Sequence, residues 1–172
     1  MIATIGYERA ELSDFVATLR LANIEVLIDI RDRAQSRRPG FSKSALASAV
    51  MAAGIEYIHI PELGDPKDGR EAARSGNFEL FRDIFAKVME SERAELAMQK
   101  VEAIALTKAI CLMCFERDQH TCHRKIVADH LESRLGCKAN HLGVKHGAGR
   151  EIEARRMRYI NQGSTAQIEQ VL

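Results

Sequence analysis

Short apolar runs alternate with stretches of helical hydrophobic spacing along most of this chain. The apolar runs predict five strands, IATIGY (2–7), EVLIDIR (25–31), IEYIHI (55–60), AICLMC (109–114) and KANHLGV (138–144). The second run is almost continuous in Val, Leu and Ile, which is typical of a strand buried on both faces of a parallel sheet. Because helical patterns separate the strands, the sequence predicts an α/β fold.

The segments between the strands carry the start and stop signals of helices. Ser13 is a candidate N-cap for a helix to about residue 24, and Ser42 precedes a helix that ends near Gly54. Residues 78–105 have the spacing of one long helix or two abutting ones, and Gly136 ends a helix that follows Cys122. Residues 61–76 contain two prolines, three glycines and many charges, so we predict a long loop there.

These elements fit a single domain with a mostly parallel sheet of about five strands, flanked by helices and followed by a C-terminal extension. We assign residues 1–144 to the α/β domain and residues 145–172 to the extension. The first half of the extension is basic, with Lys145, His146, Arg150, Arg155, Arg156 and Arg158.

Composition narrows the class of protein without identifying a partner. The 172 residues suit one domain, and the formal net charge of +1 favours neither nucleic acid nor any other charged partner. No apolar run approaches the roughly 20 residues that span a bilayer, and the N-terminus does not resemble a signal peptide. Four cysteines do not make a disulfide scaffold in a chain of this size. We therefore expect a cytoplasmic protein with reduced thiols and no membrane partner.

The conspicuous polar residues follow the predicted strands. In open α/β sheets, ligands bind at the carboxyl ends of the strands, so these residues should meet at one edge. The second strand ends in DIRDRAQSRR, where Asp29 is followed by Arg31, Arg33, Arg37 and Arg38. Such arginines suit a phosphate or carboxylate ligand. The alternative is that Asp29 pairs with one arginine while the others are solvated.

The segment CFERDQHTCHRK (114–125) offers ligands for zinc but not the usual spacing. Cys114, Cys122 and His123 are suitable ligand types, with Cys111 or His120 in reserve. Cys111 and Cys114 lie on a predicted strand, three residues apart, and therefore on opposite faces. The spacing consequently predicts no metal, and we expect a purified protein without stoichiometric zinc. We predict no other cofactor.

The same segment has the residues of a catalytic centre, and Cys114, Glu116 and Cys122 are its candidate catalytic residues. A thiol at a helix N-terminus beside His123 and Arg124 should have a lowered pKa, and the thiolate is the nucleophilic form. Glu116 could act as a general acid or base. The alternative is a pair of buried structural cysteines, with a salt bridge from Glu116 to Arg124 that fixes the loop.

The motifs TIGY, IEVLIDIRDRAQSRRPGFSKSAL, GIEYIHIPELG and LMCFERDQHTCHR together resemble the domain of unknown function 488 family, over about Thr4 to His141. Ala34 departs from the family pattern, where proline is usual, and Tyr7 replaces a commoner small polar residue. The resemblance implies functional weight at Gly6, Asp29, Arg31, Ser36, Arg37, Leu63, Gly64, Cys114, Glu116, Cys122, His123, Arg124 and His141. Of these, Gly6, Asp29, Arg31, Ser36, Arg37, His123 and Arg124, together with Tyr7, are our candidate ligand-binding residues.

Three functions remain open at the level of the sequence. The first is an enzyme, a hydrolase or transferase, that acts on a phosphate-bearing ligand such as a nucleotide or a nucleic-acid component. The second is a non-catalytic module that binds nucleic acid or another anion, and the third is a redox or zinc-dependent protein that uses Cys114 and Cys122. We favour the first because Glu116 would repel an anion unless its role is chemical or an arginine neutralises it. We expect Asp29, Arg31, Cys114, Glu116 and Arg124 to converge on one pocket.

Overall fold

The computed structural model describes residues 1–155 and 157–158, so the rest of the predicted extension, including Arg156, lies outside the described residues. Its sheet has five strands in the order β3-β2-β4-β1-β5, and every pairing is parallel. The strands are β1 (Ile2–Gly6), β2 (Val26–Asp29), β3 (Glu56–His59), β4 (Ile110–Cys114) and β5 (Asn140–Leu142). The predicted single-domain α/β fold is confirmed.

Helices cover both faces of the sheet because successive strand residues point to opposite sides. The helices between the strands are α1 (Leu12–Leu21), α2 (Lys43–Ala52), α3 (Lys67–Arg74), α4 (Phe78–Met89), α5 (Glu92–Ala105) and α6 (His123–Leu135). A further helical segment covers residues 148–155, after β5. Ile110 and Leu112 of β4 pack into the core under α3 to α6. Cys111 and Met113 of the same strand pack into the core under α1 and α2.

The predicted long loop at residues 61–76 is wrong. A 3-10 turn spans Pro61–Leu63, and the helix α3 follows at Lys67–Arg74. Both prolines stand at helix starts, where the missing N–H costs nothing because the first turn has no intrahelical acceptor for it. Gly69 and Ala72 are buried, so the side of α3 that faces the protein is made of small residues. A strongly charged segment therefore forms a helix whose apolar face is narrow.

The predicted N-cap at Ser13 is also wrong, because α1 begins at Leu12 and Glu11 occupies the N-cap position. Residues 78–105 form two helices, which is one of the two arrangements expected. Ser91 separates them, since its hydroxyl accepts a hydrogen bond from the Ala94 N–H at 3.2 Å and caps α5.

The start of the C-terminal extension packs on α1. The carboxylate of Asp14 accepts hydrogen bonds from the backbone N–H groups of Gly147 at 2.9 Å and Gly149 at 3.0 Å. The N–H of Lys145 donates to the Thr18 hydroxyl at 3.0 Å. Across the described part of the chain, none of the helices combines the length and apolar character needed to cross a membrane.

Candidate active site

A cleft of about 920 Å³ opens at the carboxyl ends of the strands. Its walls come from the segments after β1, β2, β3 and β4 and from the start of α6. Seven arginines and four carboxylates line it: Arg9, Arg31, Arg33, Arg37, Arg38, Arg70, Arg74, Glu8, Asp32, Asp65 and Glu116. We call it the arginine cleft. Its lining also includes Tyr7, Ser36, Cys114, Phe115 and His123.

Asp29 lies directly behind the cleft and holds Arg31 in a bidentate ion pair. Its two carboxylate oxygens accept from Nε of Arg31 at 2.8 Å and from Nη2 at 2.6 Å. The Tyr57 hydroxyl donates to the same carboxylate at 2.6 Å. Burial, followed by the bond and the charge of Asp29, raises the pKa of Tyr57 well above its ordinary range, so this phenol stays protonated.

The remaining bonds of Arg31 connect the cleft wall to two other segments. Its Nη1 donates to the Tyr7 hydroxyl at 3.0 Å and to the Phe41 carbonyl at 2.9 Å. The rings of Tyr7 and Phe41 stack with their centroids 4.5 Å apart. Most of the N–H groups of Arg31 are thus used within the protein, and its charge is balanced by Asp29. Its role as a ligand for an anion stays a prediction.

Arg124 supports the loop after β4 from behind. It is only 1% exposed, it does not line the arginine cleft, and its guanidinium donates to the carbonyls of Glu116 and Arg117. No ion pair between Arg124 and the Glu116 carboxylate occurs among the described residues. The guanidinium therefore shapes the loop through its backbone.

Gly6 permits the close approach of that same loop to β1. A Cβ atom at Gly6 would stand 1.8 Å from the Glu116 carbonyl oxygen, which no side chain can tolerate. Gly64 has the corresponding role on the next wall, where an added Cβ would lie 2.3 Å from the Asp32 nitrogen. The glycines of the TIGY and PELG motifs are thus explained by packing between loops.

Cys114, Glu116 and His123 form one cluster in the lining of the arginine cleft, which we call the cleft floor. The Cys114 thiol donates to Oε2 of Glu116 at 3.3 Å, and its sulfur lies 3.7 Å from Nδ1 of His123. The Cys122 sulfur lies 4.0 Å from the same nitrogen but is 2% exposed and does not line the cleft. Of these two cysteines, Cys114 is therefore the one that lines the cleft.

The orientation of His123 follows from its second nitrogen. Nε2 lies 3.0 Å from the Ile30 carbonyl oxygen, which can only accept, so Nε2 carries a proton. Nδ1 consequently faces the two sulfurs, either as an acceptor or, when the ring is charged, as a donor. The ring also packs against Phe85, with centroids 5.1 Å apart. A carbonyl at the end of β2 and an aromatic ring of α4 thus fix the imidazole.

Electrostatics concentrate negative charge on Cys122 and positive charge on His123. Burial favours the neutral Cys122 thiol, but the neighbouring Cys114 thiol and the charge of His123 outweigh it and lower the pKa of Cys122 well below its ordinary value. Burial also opposes a charged His123, yet the Cys122 thiolate raises the pKa of this ring to about 9. The neighbouring Cys122 thiolate and burial raise the pKa of Cys114. Burial, with the Cys122 charge, raises the pKa of Glu116 to about 7.

The sequence did not single out Asp65, which is 4% exposed and lines the cleft. Its Oδ1 has no hydrogen-bond partner among the described residues, and burial raises the pKa of Asp65 to about 6. The Arg70 guanidinium donates to the backbone carbonyl of Asp65 and to Oδ2 of Asp32, the latter at 2.9 Å. The signal that could have found Asp65 is its position directly after PELG, at the end of the third strand segment.

Three exposed arginines of the cleft have no partner. Across residues 1–155 and 157–158, no hydrogen bond or ion pair engages the side chains of Arg33, Arg37 or Arg74, and all three line the cleft. Ser36 also lies on the cleft wall, where its hydroxyl accepts from the Arg38 N–H at 3.1 Å and shapes the turn that presents Arg37. These arginines are the cations that a ligand can reach without displacing a protein contact.

The candidate residues fall into two groups, those that line the cleft and those that lie behind its wall and support it. Tyr7, Arg31, Ser36, Arg37, Cys114, Glu116 and His123 line the cleft, whereas Gly6, Asp29, Cys122 and Arg124 lie behind it. Cys111 faces the core on the other side of the sheet, as its strand position predicts. The spacing argument against a metal therefore applies to Cys111, but not to Cys114, Cys122 and His123, whose ligand atoms all lie within 4.8 Å of one another.

Comparison with known protein families shows the family to which this chain belongs. Residues 11–131 match the family model described as "Domain of unknown function DUF488". The chain therefore belongs to the DUF488 family, as its motifs predict. No curated protein and no solved structure matches the chain.

Proposed function

We propose that the chain is an enzyme that acts on a phosphate-bearing ligand, a nucleotide or a nucleic-acid component, bound in the arginine cleft. One observation carries this proposal: a cleft lined by seven arginines has Cys114, Glu116 and His123 at its floor. Guanidinium groups bind phosphate oxygens through paired N–H donors. The groups at the floor are types that transfer protons or attack electrophiles.

Arg33, Arg37 and Arg74 are the anion ligands in this proposal. They are exposed, they line the cleft, and none has a partner within the described part of the chain. Arg31 acts mainly as a support because Asp29, Tyr7 and the Phe41 carbonyl use most of its donors. Arg124 also acts as a support, since it is buried outside the cleft lining and donates to the carbonyls of Glu116 and Arg117. The recognition of the anion therefore falls on the loop after β2 and on α3.

Glu116 favours catalysis over simple binding. Its carboxylate contacts the Cys114 thiol, and no arginine neutralises it within the described residues. A carboxylate placed where an anion binds weakens that binding, unless it accepts or donates a proton during the reaction. We assign Glu116 that role.

Phe115 supports a ligand that carries a nucleobase. Its side chain lines the cleft although the residue is 42% exposed, and its ring meets Tyr7 edge-on with centroids 5.3 Å apart. An exposed aromatic ring beside cations suits a base that stacks while its phosphate binds arginine. The ring therefore favours nucleotides over inorganic anions.

Binding is tested by calorimetric titration with AMP, ATP, pyrophosphate and a short single-stranded RNA. We expect saturable binding of at least one of them, and Arg37→Ala should weaken it about tenfold, because a charge-assisted bond to phosphate is lost. Arg82→Ala is the matched control, since Arg82 is exposed on α4 and does not line the cleft. Equal affinities in the two variants would contradict the assigned site.

Catalysis is tested by following the same ligands for turnover by chromatography. Glu116→Gln should retain binding and reduce turnover by about 100-fold or more, as expected when a proton-transfer group is removed. Glu79→Gln, an exposed change on α4, is the control. Saturable binding without any turnover in the unmodified protein would overturn the enzyme and leave a non-catalytic anion-binding module.

A further inference from the structure

We propose that Cys114, Cys122 and His123 form a binding site for a zinc ion at the cleft floor. Their ligand atoms, two sulfurs and Nδ1 of the ring, all lie within 4.8 Å of one another, and all three residues are buried. Thiolate and imidazole are the ligands that zinc prefers in proteins. This site is argued from the geometry alone and stands whether or not the cleft binds a phosphate.

The distances between the ligand atoms are close to those of a tetrahedral zinc site. Zinc at about 2.3 Å from sulfur and about 2.0–2.1 Å from nitrogen separates a sulfur and a nitrogen ligand by about 3.6 Å. The Cys114 sulfur lies 3.7 Å and the Cys122 sulfur 4.0 Å from Nδ1 of His123. The two sulfurs lie within 4.8 Å of each other, whereas two thiolates on a tetrahedral zinc ion are about 3.8 Å apart, so binding would draw the sulfurs together by up to about 1 Å.

The surroundings of His123 match those of a metal ligand. Its Nε2–H donates to the Ile30 carbonyl at 3.0 Å, which fixes the ring and directs Nδ1 to the sulfurs. Histidines that bind metals commonly donate their other N–H to a backbone carbonyl or a carboxylate in this way. The imidazole is therefore oriented before an ion arrives.

Three protein ligands leave a fourth position, as in catalytic zinc sites. Cys114 and His123 both line the cleft, so we expect the fourth position to be reached from the cleft. Glu116 is outside the set of three mutually close ligands, and its Oε2 lies 3.3 Å from the Cys114 sulfur. Cysteines that hold zinc are not available as nucleophiles or for a disulfide. Of the candidate catalytic residues Cys114, Glu116 and Cys122, only Glu116 would then keep its proposed role, in proton transfer.

The test is the metal content of protein purified without chelators and after removal of any histidine tag. We expect about one zinc ion per chain by mass spectrometry of the elements, and a loss of most of it in Cys114→Ser. Cys137→Ser is the matched control because Cys137 is an exposed free thiol outside the site. Circular dichroism of each variant checks that the fold is retained.

Cobalt gives a second measurement that needs no variant. Replacing zinc with Co²⁺ in the unmodified protein should produce thiolate-to-cobalt charge-transfer absorption and the intense visible bands of a tetrahedral ion. Absence of both zinc and the cobalt spectrum would overturn the site. A Cys114–Cys122 disulfide in the intact protein, found by mass spectrometry of peptides, would overturn it in favour of a redox pair. Neither result bears on ligand binding by Arg37, so the two proposals fail separately.

Discussion

Asp29 is the residue on which the cleft wall depends most. Its carboxylate is fully buried and accepts from the Arg31 guanidinium, the Arg31 N–H and the Tyr57 hydroxyl. Arg31 in turn binds Tyr7 and the carbonyl of Phe41. One ion pair therefore connects the ends of β1 and β2 with strand β3 and with the segment that precedes α2.

Asp29→Asn should lower the free energy of unfolding by about 3–5 kcal/mol, because it leaves the Arg31 charge buried without a counterion. Urea denaturation measures the change. Tyr57→Phe removes only one hydrogen bond from the same carboxylate and should cost about 1 kcal/mol. A change below that of Tyr57→Phe would show that Arg31 finds another partner.

Gly6→Ala should lower the free energy of unfolding by about 1–3 kcal/mol, since the added Cβ must push the Glu116 carbonyl away from β1. The backbone of the loop has little room to move, because Arg124 holds the same carbonyl from the other side. Gly143→Ala is the control, as a Cβ there would meet nothing within 4 Å. Thermal unfolding of both variants compares the effects, and equal melting temperatures would contradict the clash.

The reactive residues of the cleft floor could be predicted from the sequence. Which arginines support the cleft wall and which are accessible to a ligand could not. Cys114 at a strand end and His123 at a helix start are placed by the pattern of elements alone. Arg31 and Arg124 have the same sequence signal as Arg37, yet Arg31 binds Asp29 and Arg124 binds backbone carbonyls. Those acceptors come from other segments, so only the packed structure distinguishes a supporting arginine from an accessible one.

Among the elements, α3 shows the limit of reading helices from hydrophobic spacing. Its eight residues, KDGREAAR, contain only two alanines as apolar residues. The helix is held by the packing of its small residues Gly69 and Ala72 and by the hydrogen bond from Arg70 to Asp32. The start signal of Pro66 and the stop signal of Gly76 were present, but the charges favoured a loop. Helices α4 and α5, with broader apolar faces, were predicted correctly.

Acid should release the C-terminal segment from α1. The hydrogen bonds from Gly149 and Gly147 hold the pKa of Asp14 below its ordinary value of 3.8, although burial opposes them. A lowered pKa in the folded state means that Asp14 stabilises the fold above its ordinary pKa of 3.8 and that this contribution is lost as the pH falls through the lowered pKa of the folded state.

The measurement is the free energy of unfolding as a function of pH for Asp14→Asn and the unmodified protein. The variant should lose less stability than the unmodified protein across that acidic range. Asp83→Asn, an exposed change on α4, serves as the control. Parallel curves for Asp14→Asn and the unmodified protein would exclude the expected contribution.

At the scale of the whole molecule, the strand order decides what the cleft contains. β4 lies between β1 and β2, so the segment that follows it enters the middle of the carboxyl edge. The sequence predicts that all strand ends share this edge, since that holds for any parallel order. It does not predict which strand is central, because that depends on contacts between residues far apart in the chain.

Anion binding should depend strongly on salt although the molecule is nearly neutral. The net charge is +1, whereas the arginine cleft holds seven arginines against four carboxylates. Raising the salt concentration from about 50 to about 500 mM should weaken the binding of ATP, because screening acts on these exposed charges. ATP titrations at several salt concentrations should show a weaker dependence of the affinity on salt for Arg37→Ala than for Arg82→Ala. Equal salt dependences in the two variants would contradict an origin of the effect in the arginine cleft.

The central position of β4 also has a consequence for synthesis on the ribosome. β1 is made first, yet both of its partners, β4 and β5, lie more than a hundred residues later, at 110–114 and 140–142. β2 and β3 can pair earlier, but β1 stays without a neighbour until most of the domain has emerged. Pairings between such distant segments are slow to form and expose apolar strands meanwhile. A growing chain consequently lacks the arginine cleft until its sheet closes around β4.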